Sequence, residues 1–256
     1  MLDAAIWGLI QGLTEFLPVS SSGHLVLVPA FLAKAGVDVG DPDLAVTAVL
    51  HIGTLLAVLA YYRRDALYVV RSPSDPRSRR LVFLVAIGTL PALVGLPLRS
   101  LLGDFEENAT YVGAALIVTG LILAVGARRN GTRTLDEGSG RDALAVGLAQ
   151  ALALIPGISR SGSTITAGLL RGFDREEAAR YSFLLAIPAI AGGGLISLFD
   201  VAAADVDLAA VGVGAAVAAI SGYAAIAFLI RLLVRRGLGP FVVYCVVVGA
   251  AAVAVL

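Results

Sequence analysis

The chain has 256 residues, of which 58% are hydrophobic, and its mean hydropathy is +0.90. This composition excludes an ordinary soluble domain and predicts an integral membrane protein. The 19 basic and 19 acidic residues cancel, so nothing favours a nucleic-acid partner, and the lone Cys245 excludes both a disulfide framework and a cysteine-based metal site. The start, Met1-Leu2-Asp3, lacks a basic segment and a small-residue cleavage site, so we expect no removable signal peptide.

The apolar runs that follow are of two kinds. Two runs of 14 residues, 4–17 and 143–156, each lead through a proline into a Ser-rich turn and a further short apolar piece. Runs of about 10–14 residues are typical of re-entrant segments, whose irregular turns must be buried in protein or line a wet cavity. Six other runs are long enough to span the bilayer, namely 44–62, 81–98, 111–127, 181–199, 208–230 and 240–256.

The distribution of arginine predicts the orientation of these spans. Basic residues concentrate in four connections, 63–80, 128–141, 171–180 and 231–239. The opposite connections are acidic and carry Asp38, Asp41, Asp43, Asp104, Glu106, Glu107, Asp200, Asp205 and Asp207. By the positive-inside rule the Arg-rich connections are cytoplasmic, so both chain ends lie outside. One re-entrant segment then enters from each side, and the halves of a single membrane domain, about 1–127 and 141–256, form an inverted-topology repeat.

The same repeat is visible in the residues at an offset of 139 positions. Segment 8–13 aligns with 147–152, and the turn 20–23 aligns with 159–162. The positions that differ are more informative. At the same offset, Glu15, Ser21 and His24 align with Leu154, Arg160 and Ser163. One half therefore supplies a carboxylate and an imidazole, and the other supplies a guanidinium, which indicates chemistry rather than packing alone.

The polar residues of the two short segments form a candidate site. Gln11 and Glu15 lie one helical turn apart on the same face, and Pro18 ends that predicted helix. Hydroxyls and backbone N–H groups in the following turn, 20–24, suit an anion, as they do in the turn 156–164. The second turn adds Arg160, whose planar fork fits phosphate oxygens. Because charges at membrane depth are costly unless paired or hydrated, Glu15 and Arg160 are predicted to be functional.

Residues 11–24, Gln-Gly-Leu-Thr-Glu-Phe-Leu-Pro-Val-Ser-Ser-Ser-Gly-His, resemble the first motif of the undecaprenyl-pyrophosphate phosphatase family, the bacitracin-resistance proteins. Residues 156–164, Pro-Gly-Ile-Ser-Arg-Ser-Gly-Ser-Thr, resemble its second motif, and the likeness spans the whole chain in order and length. The resemblance implies an all-α integral membrane fold with six transmembrane helices and two re-entrant helix pairs in an inverted-topology repeat.

The resemblance also implies an activity. Such a protein hydrolyses undecaprenyl or another polyprenyl diphosphate to the monophosphate at the outer side of the plasma membrane, with a divalent cation, Mg²⁺ or Ca²⁺. The reaction recycles the lipid carrier for cell-envelope glycan and peptidoglycan synthesis and confers bacitracin resistance. The expected partners are the polyprenyl diphosphate and the lipid bilayer, and a homodimer is compatible with the sequence.

The candidate site has three parts. Catalytic residues are Glu15, Ser21, His24 and Arg160; we favour Ser21 as nucleophile with His24 as its base, while a phosphohistidine and direct attack by water stay open. Glu15 and Gln11 are the candidate metal ligands. Many family members have Glu where this chain has Gln11, although Gln is also familiar there, so the departure removes a possible carboxylate ligand. The candidate phosphate-binding residues are Ser20, Ser22, Ser159, Arg160, Ser161 and Thr164.

Two other functions match parts of this pattern. Inverted repeats with broken helices are typical of secondary transporters, so a lipid or anion transporter or flippase is the alternative. Glu15 and His24 beside the anion-binding turns favour the phosphatase, because a carrier needs no acid, base or nucleophile. The acid-phosphatase type of lipid phosphatase is excluded, because it needs a further histidine after the arginine and the chain has only His24 and His51. His51 itself is predicted to pack within a span.

Overall fold

The computed structural model describes residues 1–37, 44–99, 108–203 and 207–256, and within these ranges the regular elements are all helical. The helices are α1 Leu2–Phe16, α2 Ser21–Lys34, α3 Leu44–Tyr61, α4 Arg63–Arg71, α5 Pro76–Arg99, α6 Ala109–Ala127, α7 Gly140–Leu152, α8 Arg160–Leu170, α9 Arg175–Ala203, α10 Leu208–Arg236 and α11 Gly239–Val255, with a 3-10 turn at Leu135–Glu137. This confirms the all-α class. Of the acidic connections, Asp38, Asp41, Asp43, Asp104, Glu106, Glu107 and Asp205 lie outside the described residues.

Several of these helices are long and apolar enough to cross a membrane. α5, α6 and α10 qualify individually, and α3 with α4 forms a fourth candidate that bends by 74° between the two helices. α11 is apolar but shorter, at 17 residues. The prediction of a membrane protein with several helical spans is therefore confirmed, and each of the six predicted runs falls on a helix. The count of six spans stays a prediction.

The four helices next to the two Ser-rich turns are too short to cross the membrane alone. α1, α2, α7 and α8 have 15, 14, 13 and 11 residues. At about 1.5 Å per residue the longest is roughly 22 Å, against a hydrocarbon core of about 30 Å. α7 ends at Leu152 rather than at Pro156, because the chain tightens into successive turns in which Leu154 N–H donates to the Ala151 carbonyl at 3.1 Å.

The two Ser-rich turns start the next helices in the same way. Ser20 Oγ accepts a hydrogen bond from Gly23 N–H at 3.3 Å, and Ser159 Oγ accepts one from Gly162 N–H at 3.1 Å. Serine is a favoured N-cap because its hydroxyl satisfies a backbone donor that the helix leaves unpaired. Ser20 is also the only non-glycine residue with a positive φ in the described ranges, at 69°. Such strain persists where surrounding contacts hold it, often at functional sites.

α1 and α7, the helices that precede the two Ser-rich turns, each pack against a long helix of the other half of the chain. α1 contacts α10, and α7 contacts α5. A Cβ added to Gly8 would lie 2.3 Å from the Gly214 carbonyl oxygen, and a Cβ added to Gly147 would lie 2.5 Å from the Gly88 carbonyl oxygen. The backbones therefore touch at both crossings, which is a known use of small residues between membrane helices. Gly8 and Gly147 are equivalent at the offset of 139.

Asp142, in the first turn of α7, connects loops of the Arg-rich face, which is the side of the molecule formed by the connections 63–80, 128–141, 171–180 and 231–239. Its buried carboxylate accepts hydrogen bonds from Arg133 Nη2 at 2.9 Å and from Arg171 Nε at 2.6 Å. Ser139, the N-cap of α7, donates its backbone N–H to the same group. Burial alone would raise the pKa of Asp142, but these hydrogen bonds outweigh it and hold the pKa well below its usual range. The start of α7 is thereby fixed to the neighbouring loops.

Candidate active site

The Glu15 carboxylate is the centre of the site, and both of its oxygens are hydrogen-bonded. Arg160 Nη2 donates to Oε1 at 2.6 Å, and Ser21 Oγ donates to Oε2 at 2.6 Å. Gln11 Nε2, one turn earlier on α1, donates to Oε2 at 3.0 Å. The side chains of Glu15 and Arg160 are 8% and 17% exposed. The pair is therefore largely withdrawn from water, where removing one partner would leave an uncompensated charge.

Two helix starts meet at this carboxylate. Ser21 is the first residue of α2 and Arg160 is the first residue of α8, and each contacts a different oxygen of Glu15. The first N–H groups of a helix have no partner within it, and the helix dipole places partial positive charge there. Such ends bind anions, and the guanidinium adds a full positive charge. The Glu15 carboxylate thus occupies a position suited to a phosphate oxygen.

Two residues that bind the Glu15 carboxylate each keep one polar atom without a hydrogen-bond partner. Arg160 Nη1 and Gln11 Oε1 are buried, and neither has a hydrogen-bond partner among the described residues. Buried polar groups without partners are uncommon, and each calls for an explanation. The guanidinium nitrogen is a donor that an anion could accept, and the amide oxygen is an acceptor that a cation could coordinate.

His24 contacts Tyr244 rather than Ser21. Its Nδ1 lies 2.8 Å from the Ser20 carbonyl oxygen, which only accepts, so Nδ1 carries the proton. In the neutral ring Nε2 then accepts from the Tyr244 hydroxyl at 2.7 Å, and the two rings stack 5.7 Å apart. The pairing of Ser21 with His24 as its base, expected from the sequence, is therefore not the one present, because Glu15 holds the Ser21 hydroxyl. Sequence reasoning missed Tyr244, which lies in an apolar span with no motif.

Hydroxyls of the second turn hold the two halves of the site together. Ser161 Oγ donates to the Leu17 carbonyl at 3.0 Å, which joins the second turn to the end of α1. Thr164 Oγ1 donates to the Arg160 carbonyl at 2.8 Å and lies 2.6 Å from Ser182 Oγ on α9. Both side chains are therefore engaged in positioning the turn and the start of α8. Their predicted contacts with phosphate stay predictions.

The remaining serines predicted to bind phosphate have similar internal roles. Ser20 and Ser159 cap the two helices, as described above, and Ser22 is exposed with its Oγ 3.3 Å from that of Ser20. His51 hydrogen-bonds within its own helix, since its Nδ1 lies 2.8 Å from the Thr47 carbonyl oxygen. The residues that the structure brings into direct contact around Glu15 are thus Gln11, Ser21 and Arg160.

The donor set can be tested against a divalent cation. The described residues contain no group of three or more His, Cys, Asp or Glu side chains that could hold a metal by themselves. Glu15 and Gln11, whose side chains are in contact, offer a carboxylate and an unpartnered amide oxygen as ligands. Mg²⁺ is usually held by one or two carboxylates together with substrate phosphates rather than by a complete protein cage. The residues present therefore fit a cation that binds together with a phosphate-bearing substrate.

These observations define a multi-span helical membrane protein in which two helix starts meet at one buried carboxylate. The family model of bacitracin resistance protein BacA matches residues 4–251 of the chain. An undecaprenyl-diphosphatase of a Nocardioides species is 45% identical over 264 residues, covering 98% of this chain and 94% of that protein. Proteins with the same name from Thermomicrobium roseum and Geobacter sulfurreducens are 44% and 41% identical and cover 96% and 100% of this chain, and 95% and 98% of their own lengths. The chain belongs to the BacA family.

Proposed function

We propose that this protein hydrolyses undecaprenyl diphosphate to undecaprenyl monophosphate and inorganic phosphate. The observation that carries the proposal is the contact of Ser21 and Arg160, each the first residue of a helix, with the two oxygens of one buried carboxylate. A candidate nucleophile, Ser21, and a candidate anion clamp, Arg160, are then each within hydrogen-bond distance of the candidate base, Glu15. The names of the relatives supply the substrate. The product re-enters envelope glycan synthesis as lipid carrier, and its regeneration confers bacitracin resistance.

The first step phosphorylates the protein. The terminal phosphate accepts from the free Nη1 of Arg160 and from the N–H groups at the two helix starts, while the prenyl chain stays in lipid. Ser21 Oγ attacks the terminal phosphorus, and Glu15 Oε2, which already accepts its hydrogen bond, takes the proton. The bond from that phosphorus to the bridging oxygen breaks. Undecaprenyl monophosphate leaves with the electron pair, and Glu15 returns the proton to it.

The second step releases phosphate. Glu15 removes a proton from a water molecule, whose oxygen attacks the phosphorus of phosphoserine 21. The bond between phosphorus and Ser21 Oγ breaks, and the serine oxygen recovers the proton from Glu15. Arg160 stabilises the charge on the phosphoryl oxygens in both steps. When bound, a divalent cation held by Glu15, Gln11 and the diphosphate would supply further neutralisation of that charge.

The direct test is phosphate release by the pure protein. Full-length protein in detergent is incubated with undecaprenyl diphosphate, and inorganic phosphate is measured over time beside the Ser21→Ala variant prepared identically. We expect release by the wild-type protein and none above background by the variant. No release by the wild-type protein would remove the proposal, and equal release from both preparations would remove Ser21 as the nucleophile.

The planar guanidinium of Arg160, and not its charge alone, should contribute to turnover. Arg160→Lys keeps the positive charge but cannot bind Glu15 and a phosphate oxygen through two nitrogens at once. We expect turnover to fall at least about tenfold, which corresponds to roughly 1.4 kcal/mol of transition-state stabilisation. The matched control is Arg171→Lys, at an arginine that pairs with Asp142 on the Arg-rich face. Near-normal turnover in Arg160→Lys would make Arg160 a structural ion.

A cation requirement is a further proposal. Chelation should abolish hydrolysis, and addition of Mg²⁺ or Ca²⁺ should restore it. Gln11→Glu should lower the cation concentration needed for half-maximal activity, because a carboxylate replaces a neutral ligand next to Glu15. Gln11→Met, which has a similar length but no oxygen ligand, should raise it. An unchanged rate of the pure protein in excess chelator would leave Glu15 and Gln11 without a role in metal binding.

We also propose that the halves 1–127 and 141–256 form an inverted repeat of six spans with two re-entrant pairs, and that the site opens to the outside. The short lengths of α1, α2, α7 and α8 and the equivalent crossings at Gly8 and Gly147 support this arrangement. Homodimerisation stays a prediction.

The two ends of α10 allow the orientation to be measured. In a Cys245→Ser background, Asp207→Cys at the acidic end should react with a membrane-impermeant thiol reagent in intact cells. Arg235→Cys, at the other end of the same helix, should react only after the cells are permeabilised. Both positions are exposed. The reverse labelling pattern would refute the proposed orientation and place the chain ends inside.

A further inference from the structure

A cavity of about 230 Å³ opens at the Arg-rich face and shares no lining residue with the Glu15 site. It lies between α4, the beginning of α5, the 3-10 turn and α9. Its volume is several times the roughly 30 Å³ that one water molecule occupies in the liquid. Its charged lining residues are Arg64, Arg77, Arg80, Arg180, Asp65 and Asp136. The cavity therefore has room for a small charged group and carries an excess of positive charge.

Two of these arginines are neutralised within the protein. Arg180 is paired with Asp65 and, through Nη1 at 3.1 Å, with Glu177. Arg77 Nε lies 3.1 Å from Asp136 Oδ1. The carboxylates that line the cavity are thus already engaged by guanidinium groups, and they leave no charge to balance further cations.

The other two arginines have no carboxylate partner in the described part of the chain. Arg80 donates to the backbone carbonyl of Asp136, which carries no charge. The side chain of Arg64, in the first turn of α4, makes no hydrogen bond or ion pair with any described residue. Both side chains are exposed, so a ligand can reach them. Two uncompensated guanidinium groups, contributed by α4 and α5 to the lining of one cavity, suit an anion with several oxygens, of which phosphate is the best match.

The rest of the cavity lining and the neighbouring helix surface place this site at the membrane boundary. Leu81 and Leu84 on α5 contribute apolar surface to the cavity. Leu67 and Val70, on the other face of α4, are 45% and 76% exposed. An amphipathic helix with basic residues and an exposed apolar face is typical of the membrane interface. Basic pockets at the ends of membrane helices are known to bind lipid phosphate groups.

We propose that this cavity binds a phosphate-bearing anion through Arg64 and Arg80, as a second site distinct from the Glu15 site. The ligand is either the headgroup of an anionic phospholipid or free phosphate from solution. Both present the same oxygens to the two guanidinium groups. The inference does not depend on the proposed hydrolysis, because no residue of the cavity takes part in it.

Two binding measurements on the full-length protein distinguish these sources. In the first, native mass spectrometry counts the lipid retained from an equal mixture of phosphatidylglycerol and phosphatidylcholine. In the second, equilibrium dialysis with radiolabelled inorganic phosphate gives the number of phosphates bound. The test variant is Arg64→Gln with Arg80→Gln. The control is Arg63→Gln with Arg79→Gln, which removes the same charge from neighbouring residues that do not line the cavity.

For a lipid ligand, wild type and control should retain phosphatidylglycerol preferentially, and the test variant should retain at least about tenfold less. For a free ligand, the test variant should bind one phosphate fewer than the control. Arg64→Gln alone, which removes no described contact, should show the same change in part and guards against misfolding of the double variant. Equal loss in test and control variants would show that bulk charge alone acts. That result, or no loss in either measurement, would overturn the proposal.

Discussion

Ser21→Ala is expected to reduce hydrolysis of undecaprenyl diphosphate by about a thousandfold or more and to remove the phosphorylated intermediate. The Ser21 hydroxyl is the only protein group in the proposed reaction that forms a bond to phosphorus, so its loss leaves only slow direct attack by water on the diphosphate. Rapid quenching with substrate labelled at the terminal phosphate should trap label on the wild-type protein. A serine phosphoester is stable to acid and lost in base.

The control and the contrary outcomes are well defined for this experiment. Ser163→Ala, in the first turn of α8, removes a buried hydroxyl that has no hydrogen-bond partner among the described residues, and should keep both activity and label. His24→Ala should also keep acid-stable label. Acid-labile label that disappears only in His24→Ala would transfer the nucleophile to the imidazole. If no label appears under any quench, retention or inversion at a chiral phosphate will distinguish two displacements from one.

Glu15→Gln should cause the second large loss, of about a hundredfold or more, because general bases typically contribute that much. The amide keeps the shape of the side chain but cannot take the proton of Ser21. It also frees Arg160 from its counter-ion, so the buried positive charge should attract a diphosphate more strongly. We therefore expect turnover to fail while the affinity for undecaprenyl diphosphate is kept or increased. Turnover can be measured by phosphate release and affinity by binding of labelled substrate.

Glu177→Gln is the matched control for that experiment, since Glu177 also pairs with an arginine, Arg180, on the Arg-rich face. It should leave turnover within a few-fold of wild type. If Glu15→Gln instead loses affinity and turnover together, Glu15 is needed to position Arg160 rather than to accept a proton. A fall in thermal stability without any change in turnover per folded molecule would make Glu15 a structural ion with no part in the reaction.

The meeting of the two Ser-rich turns could be predicted from sequence because the repeat gives each turn a counterpart. Ser21 and Arg160 are equivalent at the offset of 139, so the repeat assigns them to matching positions in the two turns. The polar residues in otherwise apolar segments supplied the second signal, because lipid would exclude Glu15 unless it had a partner. Residue identity and spacing were therefore sufficient to locate the contact.

The hydrogen-bond partners within the site could not be predicted in the same way. Which group accepts the Ser21 proton depends on side-chain directions at the start of α2, and these follow from the backbone at Ser20. Tyr244 comes from a helix 220 residues further along the chain, where a tyrosine among valines gives no functional signal. α4 was likewise not predicted, because it lies in the Arg-rich connection 63–80, although Leu67 and Val70 follow a helical spacing.

The glycine crossings have a consequence for how this site can move. Transport by alternating access commonly uses rigid-body rocking of one half of a protein against the other. Here α1 of the first half touches α10 of the second at Gly8, and α7 of the second half touches α5 of the first at Gly147. The two halves are therefore in close backbone contact at two crossings, and a rocking motion would have to separate both contacts at once. This arrangement favours a rigid reaction centre, at which the lipid arrives and leaves while the protein keeps its conformation.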